Sequence, residues 1–280
     1  MIIPFGFFGG RPDGAAMDPM FIFVLASIFV AAFIQRLAGF GYGLVAAPVA
    51  LTLFTPFEVS FLMAFWGTMN SIPTLYLTRH SIPWRVFQSF ALWLVLGLVV
   101  GYAGLLLLPV SAFKILAIVL CAQAMVSVFY PERAARGIEW SADLRLAGLL
   151  AGALQSAISI PGPPLVVAFN RLKLQGDAFV SLFALCFAGI GVVRIVVSLG
   201  FVVIALSSEA MAQRLPDAMI LHAATGSAMS VLGVLLAQPF VGHVSAALFK
   251  KIAAVLIAVS VLTLIIDVLG WGPQIAALFA

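Results

Sequence analysis

Apolar residues run along this chain in ten stretches, roughly 18–36, 39–54, 56–78, 84–108, 110–130, 142–159, 161–174, 177–207, 215–238 and 243–270. Most approach or exceed the ~20 residues that a helix needs to cross about 30 Å of hydrocarbon. The second and seventh are short. The pattern predicts an all-α polytopic membrane protein, a single transmembrane domain over 1–280 with no soluble domain. Two breaks stand out. The first, "QRLAGFGYGLVAAP" from Gln35 to Pro48, sets Arg36 and three glycines (Gly39, Gly41, Gly43) between apolar runs; the second is "QSAISIPGPPL" from Gln155.

The two breaks belong to a duplication. A shift of 120 lays Gln35 on Gln155, Gly39 on Ser159, and Gly41-Tyr42-Gly43 on Pro161-Gly162-Pro163. A shift of 121 lays "VSFLMAFWGTMNSIP", from Val59, on the stretch starting at Val180, and a shift of 137 lays Phe113-Lys114-Ile115 on Lys250-Lys251-Ile252. Order is kept throughout, and the polar stretch Ser207–Asp217 absorbs most of the growing offset. A first repeat over 18–130 and a second over 142–270 are expected. The first apolar stretch therefore has a partner near 142–159, which argues that it is a retained helix and not a signal peptide, as does its weak positive lead of Arg11 with two aspartates.

Composition agrees: 64% of residues are hydrophobic, 9% are charged, and mean hydropathy is +1.21, so the bilayer is the solvent. The net charge of +4 then reports loop address rather than nucleic-acid binding. If all ten stretches cross with the N-terminus outside, the inner loops carry Arg36, Arg79, Arg85, Arg133, Arg136, Arg145, Arg171, Lys173, Lys250 and Lys251, against Arg11, Lys114 and Arg214 outside: ten to three. If the two short stretches simply fail to cross, the split is seven to six. A third arrangement keeps the favourable parity: stretches one and two dip in and return as a hairpin, and six and seven do so from the other face, with only Arg36 changing address. Either favourable version puts both termini outside and gives each half odd topology, so the halves are inverted. Inverted repeats with interrupted apolar segments at matching places mark secondary transporters, with the site where the breaks meet.

The chemistry at that place favours an anion. Glycines leave backbone N–H groups uncovered, and a helix restarting at Tyr42 aims its positive end into the gap. The second break offers Gln155, Ser156 and Ser159, with a restart at Pro161–Pro164 in which proline suits the first helical turn. Arg194 lies seventeen residues from Asp177 and thirteen from Ser207, inside an apolar stretch where a charge faces a cavity or a partner. Its alternative is pairing with backbone carbonyls of a broken helix. Arg36 either reaches the substrate or snorkels to the inner interface. Asn70 lines the path or satisfies carbonyls freed by Pro73. His222 is a candidate proton carrier or a hydrogen-bonded core histidine. All the acids lie near segment ends, only Glu58 and Asp267 approaching an interior, which speaks against a cation site. Gly97/Gly101 and Gly148/Gly152 read as close helix packing. Cys121 and Cys186 lie in apolar runs without metal or disulfide spacing; no metal and no cofactor is expected.

Duplicated halves, each with an apolar helix, a Gly/Pro-rich break and an "LVxxP"-like continuation, resemble the TauE/SafE sulfite exporter family over about residues 20–270. The resemblance implies a bacterial inner-membrane transporter of sulfite, sulfonates or other small organic anions. The expected substrate-binding set is Gln35, Arg36, Gly39, Gly41, Gly43, Asn70, Gln155, Ser156, Ser159, Gly162 and Arg194. Expected partners are a small anionic substrate and the lipid bilayer, with no nucleic acid; a homo-oligomer stays open. An intramembrane enzyme would need paired aspartates, HExxH or a Ser–His pair, of which only Ser156 or Ser159 with His222 is available, and a structural subunit would bind no small anion.

Overall fold

Short local signals set the element boundaries. Thr55 caps the third helix: its hydroxyl accepts from the Glu58 amide (3.4 Å), and the Glu58 carboxylate takes hydrogen bonds from the Thr55 amide (2.8 Å) and hydroxyl (2.9 Å), with Pro56 opening the helix. Glu58, one of the two acids nearest an interior, is thus engaged at a helix start; Asp267 lies outside the described residues. The computed structural model describes residues 19–129, 144–206, 217–243 and isolated positions between 255 and 269. Among these the elements are helical: α1 (Pro19–Ala38), α2 (Tyr42–Leu53), α3 (Pro56–Thr78), α4 (Trp84–Leu107), α5 (Val110–Phe129), α6 (Leu144–Ile158), α7 (Gly162–Arg171), α8 (Gly176–Leu206) and α9 (Asp217–Ala237). They follow nine of the ten apolar stretches. The core of the tenth, with Lys250 and Lys251, falls outside the described residues, as do Arg11, Arg133, Arg136, Arg214 and most of the Ser207–Asp217 insertion.

Among the described residues four helices are long and apolar enough to cross a membrane, over Phe21–Ala38, Trp84–Gly104, Gly176–Val197 and Met219–Phe240. Shorter apolar helices include Tyr42–Leu53 and Leu144–Ile158. At 12 and 10 residues, α2 and α7 reach only about 18 Å and 15 Å, well short of the hydrocarbon thickness. The 23-residue α3 carries buried Ser60, Thr68, Asn70, Ser71, Thr74 and Thr78 along its length. Thr68, Ser71, Thr74 and Thr78 return their hydroxyls to the carbonyl four residues earlier, which satisfies them without a second helix.

Two apolar clusters organise the bundle. One is built from α1, α2, α3, α5 and α9, with Ala157 and Ile158 at the end of α6 and Ile160 just beyond it; the other is built from α4, the earlier turns of α6, α7 and α8. The pairing α4–α6 rests on the glycine patterns: a Cβ at Gly97 would collide with the Leu149 carbonyl, at Gly152 with the Leu94 carbonyl, and at Gly101 with the Ser156 hydroxyl. Residue numbers rise together along that contact, so α4 and α6 run parallel. So do α1 and α9, whose contacts step from Phe21–His222 to Gly233 against Phe29 and Phe33, then to Phe33–Phe240. By contrast α3 and α8 are antiparallel, since Gly191 meets Ala64 and Thr68 while Ser181 donates to the Ser81 carbonyl.

Candidate functional site

Each break is a helix C-terminus finished by a left-handed residue. Gly39 (φ 84°) donates its amide to the Gln35 carbonyl at 2.7 Å, and Ser159 (φ 61°) donates to the Gln155 carbonyl at 3.1 Å. Glycine takes that conformation freely, whereas serine pays on the order of 1–2 kcal/mol for it. Gly41 (φ 110°) then opens α2. No Cβ fits at Gly43, where it would strike the Ser159 carbonyl oxygen, so the start of α2 rests directly on the second break. Gly162 differs: a Cβ there meets nothing within 4 Å, and glycine is required neither by backbone angle nor by contact.

Arg194 is fully buried beside this junction. Its Nη2 donates to the Ser60 carbonyl, to Ser60 Oγ (2.9 Å) and to Ser159 Oγ (3.1 Å). Ser60 Oγ in turn donates to the Ser156 carbonyl at 2.9 Å, while the Ser156 hydroxyl is spent on the carbonyls of Leu98 and Gly152, 3.0 Å each. The guanidinium is therefore held by α3 on one side and by the second break on the other, and Nε and Nη1 remain without a protein partner. The Tyr102 hydroxyl of α4 lies beside it, buried and outside hydrogen-bond geometry. Gln155, in the last turn of α6, buries Oε1 unpaired. Buried polar atoms are almost always paired, so the free guanidinium donors of Arg194, with the Tyr102 hydroxyl beside them, fit a polar ligand.

The remaining expected residues are distributed around this group. Gln35 and Asn70 are buried with both side-chain amide atoms unpaired, and share no hydrogen bond with Arg194. Arg36 is buried rather than snorkelling: Nε donates to Gln238 at 2.9 Å and Nη1 is unpaired. Gly39 packs on the Phe179 ring. His222 lies against Phe21 and Phe54, with ring centroids 4.2 and 5.3 Å apart, and its carbonyl accepts from Trp66 Nε1. Two participants escaped sequence reasoning. Ser60 is one hydroxyl in an apolar stretch, and Tyr102 follows Gly101 in a pattern that reads as packing; the repeat register gives a signal for Ser60 alone, by pairing it with Ser181.

The sulfite exporter TauE/SafE family matches residues 24–264. The chain belongs to that family. Membership, with the apolar helices, makes it a multi-pass membrane protein of an anion-exporting transporter class. No curated protein and no solved structure matches the chain.

Proposed function

We propose that this TauE/SafE member exports a small sulfur oxyanion or sulfonate across the bacterial inner membrane by alternating access, with the anion bound where the two breaks touch. The observation that carries the reading is Arg194, fully buried with two unpaired guanidinium nitrogens at the contact of α3 with the second break. A guanidinium presents a planar fork suited to two oxygens of one sulfur centre. Gly43, Ser159, Gln155 and Arg194 form the inner part of the site, with Gln35, Arg36, Gly39, Gly41, Asn70 and Ser156 shaping its approaches.

The halves, 18–130 and 142–270, are inverted repeats in this reading. Support comes from Gly39 and Ser159, paired by the repeat register, which share a left-handed conformation and the same capping bond. It also comes from α3 and its counterpart α8 running antiparallel, and from the reciprocal pairings α1–α9 and α4–α6. Two full crossings would leave the breaks at opposite faces, so the close approach of Gly43 to Ser159 supports hairpins for α1–α2 and α6–α7, entering from opposite sides. Only Arg36 changes address, leaving nine loop cations inside against three outside and both termini outside. A potential negative inside drives anion exit without a coupled ion.

The test is efflux from proteoliposomes with sulfite, sulfate, thiosulfate, sulfoacetate, taurine and a carboxylate control. Losing a charge-assisted bond of about 1.5–3 kcal/mol, Arg194→Ala should weaken binding roughly ten- to a hundredfold, and Arg194→Lys less. A purified Arg194→Ala protein that melts normally and binds its anion with unchanged affinity refutes the assignment.

A further inference from the structure

Among the described residues Arg194 is the one charge at the inner part of the site. Among the described residues Tyr102 is the titratable group that acts on it, and no carboxylate or second cation does. The surrounding elements face it with Ser60 from α3, Ser159 from the second break and Tyr102 from α4, all uncharged. The other buried arginine, Arg36, gives its Nε to Gln238 and lies in the field of Asp177. In a low-dielectric interior an uncompensated charge is costly. A monoanion on Arg194 brings the site to neutrality; a dianion leaves one negative charge unmatched.

The neutral groups add a second constraint. The Tyr102 hydroxyl beside the guanidinium is buried without a protein partner and can accept a hydrogen bond, which a guanidinium cannot. A ligand carrying a proton beside its oxygens uses both kinds of group. Resting on the reading that Arg194 binds a sulfur oxyanion, the geometry points to a monoanion-selective site: it takes hydrogensulfite or a singly charged sulfonate, rejects the dianions sulfite, sulfate and thiosulfate, and has the Tyr102 hydroxyl accept a hydrogen bond from hydrogensulfite, whose proton stays on the anion.

The experiment uses the full chain in proteoliposomes loaded with sulfite, at equal pH on both faces and with the membrane potential clamped. The pH is raised stepwise through the second dissociation of sulfurous acid, and leak is subtracted with protein-free vesicles. Methanesulfonate, singly charged throughout, is the reference for any effect of pH on the protein. Sulfite efflux relative to methanesulfonate should fall about tenfold per pH unit above that dissociation, and sulfate should not move. Tyr102→Phe, which keeps the ring and removes the hydroxyl, should slow hydrogensulfite three- to tenfold more than methanesulfonate, the loss of about one neutral hydrogen bond. Sulfite efflux that holds level as the dianion takes over, or sulfate carried as fast as methanesulfonate, overturns monoanion selectivity and leaves the transporter reading standing. An unchanged flux ratio in Tyr102→Phe overturns the role given to that hydroxyl. Failure of every anion at every pH overturns the function on which the inference rests.

Discussion

Gly43→Ala is a one-carbon change aimed at the contact between the two breaks. The new Cβ would lie 3.0 Å from the Ser159 carbonyl carbon, 3.3 Å from Ile160 Cα and closer still to the Ser159 oxygen. Carbon atoms pack comfortably at about 3.5–4.0 Å, so the second break must retreat by about 1 Å. Ser159 carries the hydroxyl that accepts from Arg194, so the shift is passed to the guanidinium. Overpacking of this size costs about 1–3 kcal/mol of stability, while a misplacement of ~1 Å at a working site costs on the order of a hundredfold in rate. Gly162→Ala is the control: the same methyl group enters open space at an ordinary backbone angle, and transport should stay within about twofold. Initial efflux rates from proteoliposomes at matched protein density, with melting curves of both variants in detergent, give the comparison. Gly43→Ala transporting at the parent rate would show that the junction of the breaks does not move or bind the anion.

Other substitutions separate the parts of the site. Gly41→Ala has room for its methyl but a φ of 110°, so it should lower stability by about 1–2 kcal/mol through backbone strain, read as a lower melting temperature; an unchanged melt would refute that. Ser60→Ala removes the bridge from Arg194 to the Ser156 carbonyl and should cost about 1 kcal/mol of stability together with a measurable loss of anion affinity in titration calorimetry. His222→Phe should keep transport and its pH profile, because the ring packs on Phe21 and Phe54; a profile displaced by the substitution would restore a proton-carrying role. In a Cys121→Ala/Cys186→Ala background, a cysteine at position 139 should resist an impermeant thiol reagent applied to intact cells, and rapid labelling from outside would overturn the inward loop.

The helices were legible because a bilayer-spanning chain must bury every backbone polar group within its own segment, so hydropathy and length fix the elements almost residue by residue. The breaks were legible for a related reason: Gly39 and Gly41 sit at positive φ, and Pro163 sits in the first turn of α7, as those residue types demand. Gly162 looked like their equal and is not, because composition shows where a chain can turn but not which residue makes the turn; there the left-handed residue is Ser159. Partners across the bundle were not legible. Ser60 meets Arg194 over a separation of 134 residues, and Arg36 meets Gln238 over 202, through helix packing that no local pattern encodes.

In the proposed inverted-repeat reading, the duplication accounts for the shape of the site but not for its chemistry. Under the register that lays Val59 on Val180, the counterpart of Arg194 is Pro73, and that of Ser60 is Ser181, which bonds to Ser81 instead. In that reading two copies of one scaffold supply two helix ends and two breaks, while among the described residues the charge comes from one copy alone. A symmetric pair of arginines at the junction would bury two positive charges against each other and favour a dianion. A single arginine on α8, held by hydroxyls from α3 and from the second break, avoids that repulsion and, in the proposed alternating-access cycle, would leave the anion shared between two halves moving past each other. In that proposed cycle, movement would loosen one set of contacts at a time: Ser60 belongs to the first half, Ser159 to the second, and Arg194 would keep the anion while either serine departs.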